Sequence, residues 1–141
     1  MTPTSQGYLV LVVEDTQDTR DLIRMVLELS GYEVVEAERG DEAVAVAVST
    51  HPDAIIMDMS LPVLDGCQAA RSIRRQPGLE HVPIIACTAH NRWEWRAKAI
   101  VAGCDEFLEK PIDFDRLGSM LSRHIRAAFG GTPGARQRRQ E

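Results

Sequence analysis

Apolar and polar positions along the chain fall into two alternating patterns. Tyr8 to Val13 is an unbroken β-prone apolar run, and such two-sided hydrophobicity is expected of a strand covered by helices on both faces. It predicts a central parallel strand. From Thr16, as N-cap, Leu22, Ile23, Val26 and Leu27 recur at helical spacing until Gly31, which suits the left-handed position that follows a helix. The alternation then repeats, with Glu33 to Ala37 as strand, Asp41 to Ser49 as helix, Ala54 to Met57 as strand, and Gly66 to Arg75 as helix after Asp65. Two further rounds place strands at Pro83 to Cys87 and Glu106 to Leu108, and helices at Trp93 to Ala102 and Phe114 to Ala128. In the last helix Phe114, Leu117, Leu121 and Ile125 share the inward face. On the fourth, Trp93 lines up with Ala97, Ile100 and Val101 and is expected in the core, which leaves Trp95 on another face as a candidate partner anchor.

Five βα units in strict succession predict an α/β fold, a doubly wound parallel sheet with right-handed crossovers. A closed eight-stranded barrel needs far more chain than 141 residues. The domain is expected to span 7–129. The stretch 130–141, rich in Gly, Arg and Gln, reads as a flexible tail or linker.

Composition narrows the function classes. At 44% hydrophobic and 26% charged residues, neither a disordered nor a fibrous chain is indicated. No apolar run reaches the length of a membrane span, and the first residues lack a secretory signal, so a soluble, cytoplasmic protein without membrane insertion is expected. The net charge is −5, and the last sixteen residues carry four arginines against one glutamate, so the chain up to Ile125 holds −8. An acidic body argues against direct nucleic-acid binding. Cys67, Cys87 and Cys104 are odd in number, widely spaced and without C-x-x-C spacing, so they read as small buried thiols rather than a disulfide framework or metal ligands.

In open parallel sheets, functional groups collect beyond the carboxyl ends of the strands. The residues at those ends are Glu14 and Asp15 after the first strand, Asp58 after the third, Thr88 after the fourth and Lys110 after the fifth. Taken singly, an acidic residue there is often a helix cap, and Asp15 or Asp65 fits that role. Capping accounts for neither the paired acids nor a lone Lys followed by Pro. Three converging carboxylates repel one another, and a few carboxylates plus water is the usual environment of Mg²⁺. A carboxylate beside such a metal can act as nucleophile toward a phosphoryl group, which makes Asp58 the central candidate. Lys110 and the Thr88 hydroxyl are then the groups to hold phosphoryl oxygens.

These residues resemble the CheY-like receiver domains of two-component response regulators. The resemblance covers roughly residues 8–128. It is carried by the acidic pair in Val12-Val13-Glu14-Asp15, by Met57-Asp58-Met59-Ser60-Leu61-Pro62 leading to Asp65-Gly66, by Thr88-Ala89, and by Lys110-Pro111. It implies a flavodoxin-like (βα)5 fold with strand order 2-1-3-4-5 and Asp58 as phosphoacceptor. It further implies Mg²⁺ held by Glu14, Asp15, Asp58 and the Ser60 backbone carbonyl, and a cis Lys110-Pro111 peptide. Thr88 and the aromatic Phe107 become the switch pair, although Phe107 lacks the hydroxyl that some members carry. Ser60 and His90 stand where side chains border the phosphoryl group, while His90 also reads as a solvated loop histidine.

The resemblance implies no turnover enzyme but a phosphoacceptor switch that assists its own phosphorylation and dephosphorylation. The donor is a histidine kinase or a histidine phosphotransfer protein. The output is a protein contact through the fourth helix, fifth strand and fifth helix. Three alternatives stay open: a receiver cut from a hybrid kinase or larger regulator, a phosphorylation-independent pseudo-receiver, and a haloacid-dehalogenase-like phosphatase. The phosphatase needs a second Asp two residues after its nucleophile, where this chain has Ser60.

Overall fold

The computed structural model describes residues 7–61, 64–89 and 93–129. Pro62, His90 and the expected tail at 130–141 lie outside them. The elements alternate as the hydrophobic pattern predicts: β1 (Leu9–Val13), α1 (Gln17–Leu29), β2 (Glu33–Ala37), α2 (Gly40–Thr50), β3 (Ala54–Asp58), α3 (Gly66–Arg74), β4 (Ile84–Thr88), α4 (Trp93–Ala102), β5 (Glu106–Glu109) and α5 (Phe114–Phe129). All four strand pairings are parallel, and the order is β2-β1-β3-β4-β5. This is the doubly wound, flavodoxin-like arrangement.

Every residue of β1, β3 and β4 is buried, whereas β2 and β5 at the two edges are partly exposed. Side chains of successive strand residues point to opposite faces, so the core divides in two. Leu11, Val13, Ile55, Met57, Ile84 and Ala86 pack with Ala43, Ala47, Ala69, Ala70, Ile73, Ala99 and Ala102 of α2, α3 and α4. Val10, Val12, Ile56, Ile85 and Leu108 pack with Ile23, Leu27, Leu117, Met120, Leu121 and Ile125 of α1 and α5. The helices of the first face contribute mostly alanines, those of the second mostly large aliphatics.

Helix ends follow local chemistry. The Asp65 carboxylate accepts from the Gln68 N–H and the Gln68 Oε1 accepts from the Asp65 N–H, a reciprocal capping box that starts α3. Thr16 is the N-cap of α1 in position, without the side-chain bond expected of it. Gly31 follows α1 with φ of +97°, a backbone conformation that costs glycine nothing. Cys87 and Cys104 are buried and Cys67 is half-buried, all as free thiols. Burial pushes the Cys87 and Cys104 thiols up to about 12, which leaves them unreactive near neutral pH.

The tryptophans reverse the sequence expectation. Trp93 is 77% exposed, and Ile100 and Val101 on its stripe are exposed with it. Trp95 instead packs against the alanine-rich core, with the Lys98 ammonium 5.0 Å from its ring centroid. The competing stripe of Trp95, Ala99 and Ala102 faces the sheet because its alanines let α4 come close. On α1, Leu22 is likewise half exposed, and Arg20 shares the buried face with Ile23 and Leu27.

Gly118 lies in the interior of α5, and a Cβ built there meets no heavy atom within 4 Å. Glycine in a helix interior is less favourable than alanine by about 1 kcal/mol. Gly118→Ala is therefore expected to stabilise the domain by roughly 0.5–1 kcal/mol, seen as a higher urea midpoint. A lower midpoint would show that the open space beside Gly118 is needed.

Candidate functional site

The parallel register brings the strand ends to one rim. Asp58, the last residue of β3, pairs with Cys87, and Thr88, the last of β4, pairs with Glu109. Just beyond the strands the backbone pairing continues, since the Glu14 N–H donates to the Ala37 carbonyl at 3.1 Å and the Lys110 N–H to the Thr88 carbonyl at 2.8 Å. Glu14, Asp58, Thr88 and Lys110 thus leave a backbone that the sheet already holds. The Lys110-Pro111 peptide that follows is cis.

One carboxylate oxygen from each of Glu14, Asp15 and Asp58 lies within 4.8 Å of the others. Glu14 and Asp58 are buried, at 2% and 5% exposure, while Asp15 is exposed. The Lys110 ammonium donates to Glu14 Oε1 at 2.5 Å and stands 3.4 Å from Asp58 Oδ2. Asp58 Oδ1 accepts from the Ser60 N–H at 3.0 Å, and Glu14 Oε2 from the Thr16 N–H at 3.1 Å. Thr88 is fully buried beside this group.

Burial alone would lower the Lys110 ammonium, but its hydrogen bond to Glu14 and the charge of Asp58 raise it above its ordinary value. Lys110 is therefore a fixed cation at neutral pH. One ammonium against three carboxylates leaves the rim negative. Oxygen donors only, two of them buried, fit a hard divalent cation such as Mg²⁺.

Asp65 is a helix cap and not part of the rim, which agrees with the plainer reading of that residue. Phe107 is half-buried against the alanine-rich core, with the Arg96 guanidinium 5.5 Å from its ring centroid. It therefore joins β5 to α4. The residue that sequence reasoning missed is Arg20, whose Nη1 donates to the Glu14 carbonyl at 2.9 Å and whose Nε donates to Glu36 Oε2 at 2.9 Å. The available signal was an arginine in step with Ile23 and Leu27, the buried positions of α1.

Ion pairs around the sheet edges set the acid response. Burial would raise the Glu36 carboxyl, but hydrogen bonds from Arg24 and Arg20 bring it below its ordinary value. The hydrogen bond with His124, then that with Arg123, hold Glu106 low. A carboxylate depressed in the folded state contributes stability above its unfolded value, and loses it as pH falls through the folded one. Stability is accordingly expected to decline below the ordinary glutamate value of 4.5, measurable as a falling urea midpoint between about pH 5 and pH 3. A midpoint that rises on acidification would contradict these pairings.

Comparison with known proteins agrees with this geometry. The family model described as response regulator receiver domain matches residues 10–122. The polar-differentiation response regulator DivK of Brucella ovis is 35% identical over 116 residues, which are 82% of this chain and 94% of DivK. The phosphate regulon transcriptional regulatory protein PhoB of Pseudomonas aeruginosa is 33% identical over 89% of this chain. The chain spans about half of PhoB's length, 55%. Among solved structures, the receiver domain of a sensor histidine kinase from Pseudomonas aeruginosa PAO1, with magnesium coordinated in its active-site cleft, is 39% identical. It superposes with a TM-score of 0.80 over 84% of this chain and 98% of that one.

Proposed function

The chain belongs to the response regulator receiver domains of two-component signalling, and on that premise we propose that Asp58 is its phosphoacceptor. The observation that carries this reading is the single Lys110 ammonium set between Glu14 and Asp58 in a rim of three carboxylates. A carboxylate oxygen of Asp58 attacks the phosphorus of a phosphohistidine on a kinase or phosphotransfer protein. The O–P bond forms as the P–N bond breaks, and the electron pair stays on the imidazole nitrogen.

Glu14, Asp15, Asp58 and the Ser60 carbonyl are the groups to hold Mg²⁺. When bound, Mg²⁺ offsets charge on the phosphoryl oxygens. Lys110 binds one phosphoryl oxygen through its ammonium, and the Thr88 hydroxyl donates to another. These groups assist both the gain and the loss of the phosphoryl group, so the chain is a switch rather than a turnover catalyst.

Movement of Thr88 toward the phosphoryl group changes the packing at Phe107 two pairs along the β4–β5 ladder. Arg96, over the Phe107 ring, passes that change to α4. This is a population shift between two packings, biased by the contact the phosphoryl group makes in one of them. The output surface is α4, β5 and α5, where Trp93, Ile100 and Val101 present an apolar stripe. The receiver spans 7–129 and works in the cytoplasm. Among the described residues no helix is long and apolar enough to cross a membrane. A phosphatase reading lacks its proton donor, because Ser60 stands where an Asp is required.

The test is incubation with a small acyl phosphate, with and without Mg²⁺, followed by intact-mass measurement. One phosphoryl adduct that requires Mg²⁺ is expected. A folded chain that takes none would contradict the phosphoacceptor role, and multiple turnover of unrelated phosphate esters would favour the phosphatase.

A further inference from the structure

The Glu14 carbonyl belongs to the peptide unit that leads into Asp15, so whatever fixes that carbonyl fixes the backbone of both acids. Arg20 does this from inside the fold. It is 7% exposed, donates from Nη1 to the Glu14 carbonyl at 2.9 Å, and is itself held by Glu36 through Nε at 2.9 Å and by Glu38 through Nη2 at 3.3 Å. Asp15 is exposed and depends on its backbone for placement. We infer that Arg20 is a positioning residue for the acidic rim, tying the Glu14-Asp15 peptide to the end of β2 so that both carboxylates are in place before Mg²⁺ arrives.

This inference rests on the rim being a Mg²⁺ site, and charge and position predict opposite results for it. A guanidinium near the rim repels a dication, so by charge alone its removal would tighten Mg²⁺ binding. By position its removal weakens binding, because groups that orient metal ligands typically contribute tenfold or more to affinity, on the order of 10- to 100-fold.

The experiment compares Arg20→Met with Arg24→Met, since Arg24 also pairs with Glu36. Mg²⁺ affinity is read by calorimetry, and amide exchange at Asp15 is read in the metal-free protein. Arg20→Met is expected to weaken Mg²⁺ by about tenfold and to speed Asp15 exchange. Arg24→Met is expected to leave both near wild type. Should Arg20→Met fail to fold, Arg20→Lys keeps the charge but cannot span both the Glu14 carbonyl and Glu36, and the same weakening is expected of it.

Unchanged or tighter Mg²⁺ binding in the folded Arg20 variant, or equal weakening in Arg24→Met, overturns the positioning role while the metal site stands. Failure of the wild-type chain to bind Mg²⁺ overturns the metal site, and the positioning role with it.

Discussion

Asp58→Asn is expected to fold like the wild type and to lose its phosphoryl adduct, with labelling by a small acyl phosphate slowed by more than about a thousandfold. The amide occupies nearly the same volume but offers no anionic oxygen to attack phosphorus. It can still accept from the Ser60 N–H, which lies 3.0 Å from Oδ1 in the wild type. The charge partner of Lys110 at 3.4 Å is lost, while the Glu14 contact to the same ammonium remains. Circular dichroism and intact-mass kinetics on the two chains check this together. Labelling at the wild-type rate in the Asn chain would move the acceptor elsewhere.

Gly66→Ala is expected to disrupt the domain strongly for so small a substitution. A Cβ at Gly66 would lie 2.4 Å from the Asp58 carbonyl oxygen and 2.8 Å from Met59 Cα. The Met59 methyl, at 2.6 Å, can swing aside, but the two backbone atoms cannot. Either α3 is pushed outward or the end of β3 moves, at a cost of about 1–3 kcal/mol. A melting temperature lower by several degrees, together with slower acyl phosphate labelling, is the expected result. An unchanged melting temperature would mean that the start of α3 has slack that this packing does not show.

The strands were legible in the sequence because burial on both faces leaves an unbroken apolar run, as in Val10 to Val13 and Ile55 to Met57. The rim was legible because parallel strands deliver their last residues to one edge, so the positions of Glu14, Asp15, Asp58, Thr88 and Lys110 could be read without knowing any distance. Faces of helices were harder. On α4 two apolar stripes compete, and the more hydrophobic one, through Trp93, Ile100 and Val101, points to solvent. Alanines at Ala99 and Ala102, meeting Ala69 and Ala70 in the same core, allow closer approach than large side chains would. Hydrophobicity alone ranks those stripes the wrong way. Arg20 was missed for a related reason: a charged residue is expected outside, and only its partners Glu36, Glu38 and the Glu14 carbonyl make its burial tolerable.

The half-exposed outer strands also bear on how the molecule behaves at high concentration. β2 carries Glu33 and Glu36, and β5 carries Glu106 and Glu109, whereas β1, β3 and β4 hold no charged residue except Asp58. Any attempt to extend the sheet from one molecule into another would bring acidic edge to acidic edge. It would also strip water from the ion pairs that Glu36 and Glu106 make with their arginines. Charged side chains on edge strands are a known deterrent to such growth. The three uncharged or nearly uncharged strands, which on their own would aggregate readily, are thus kept from further strand pairing by the acidic strands on either side.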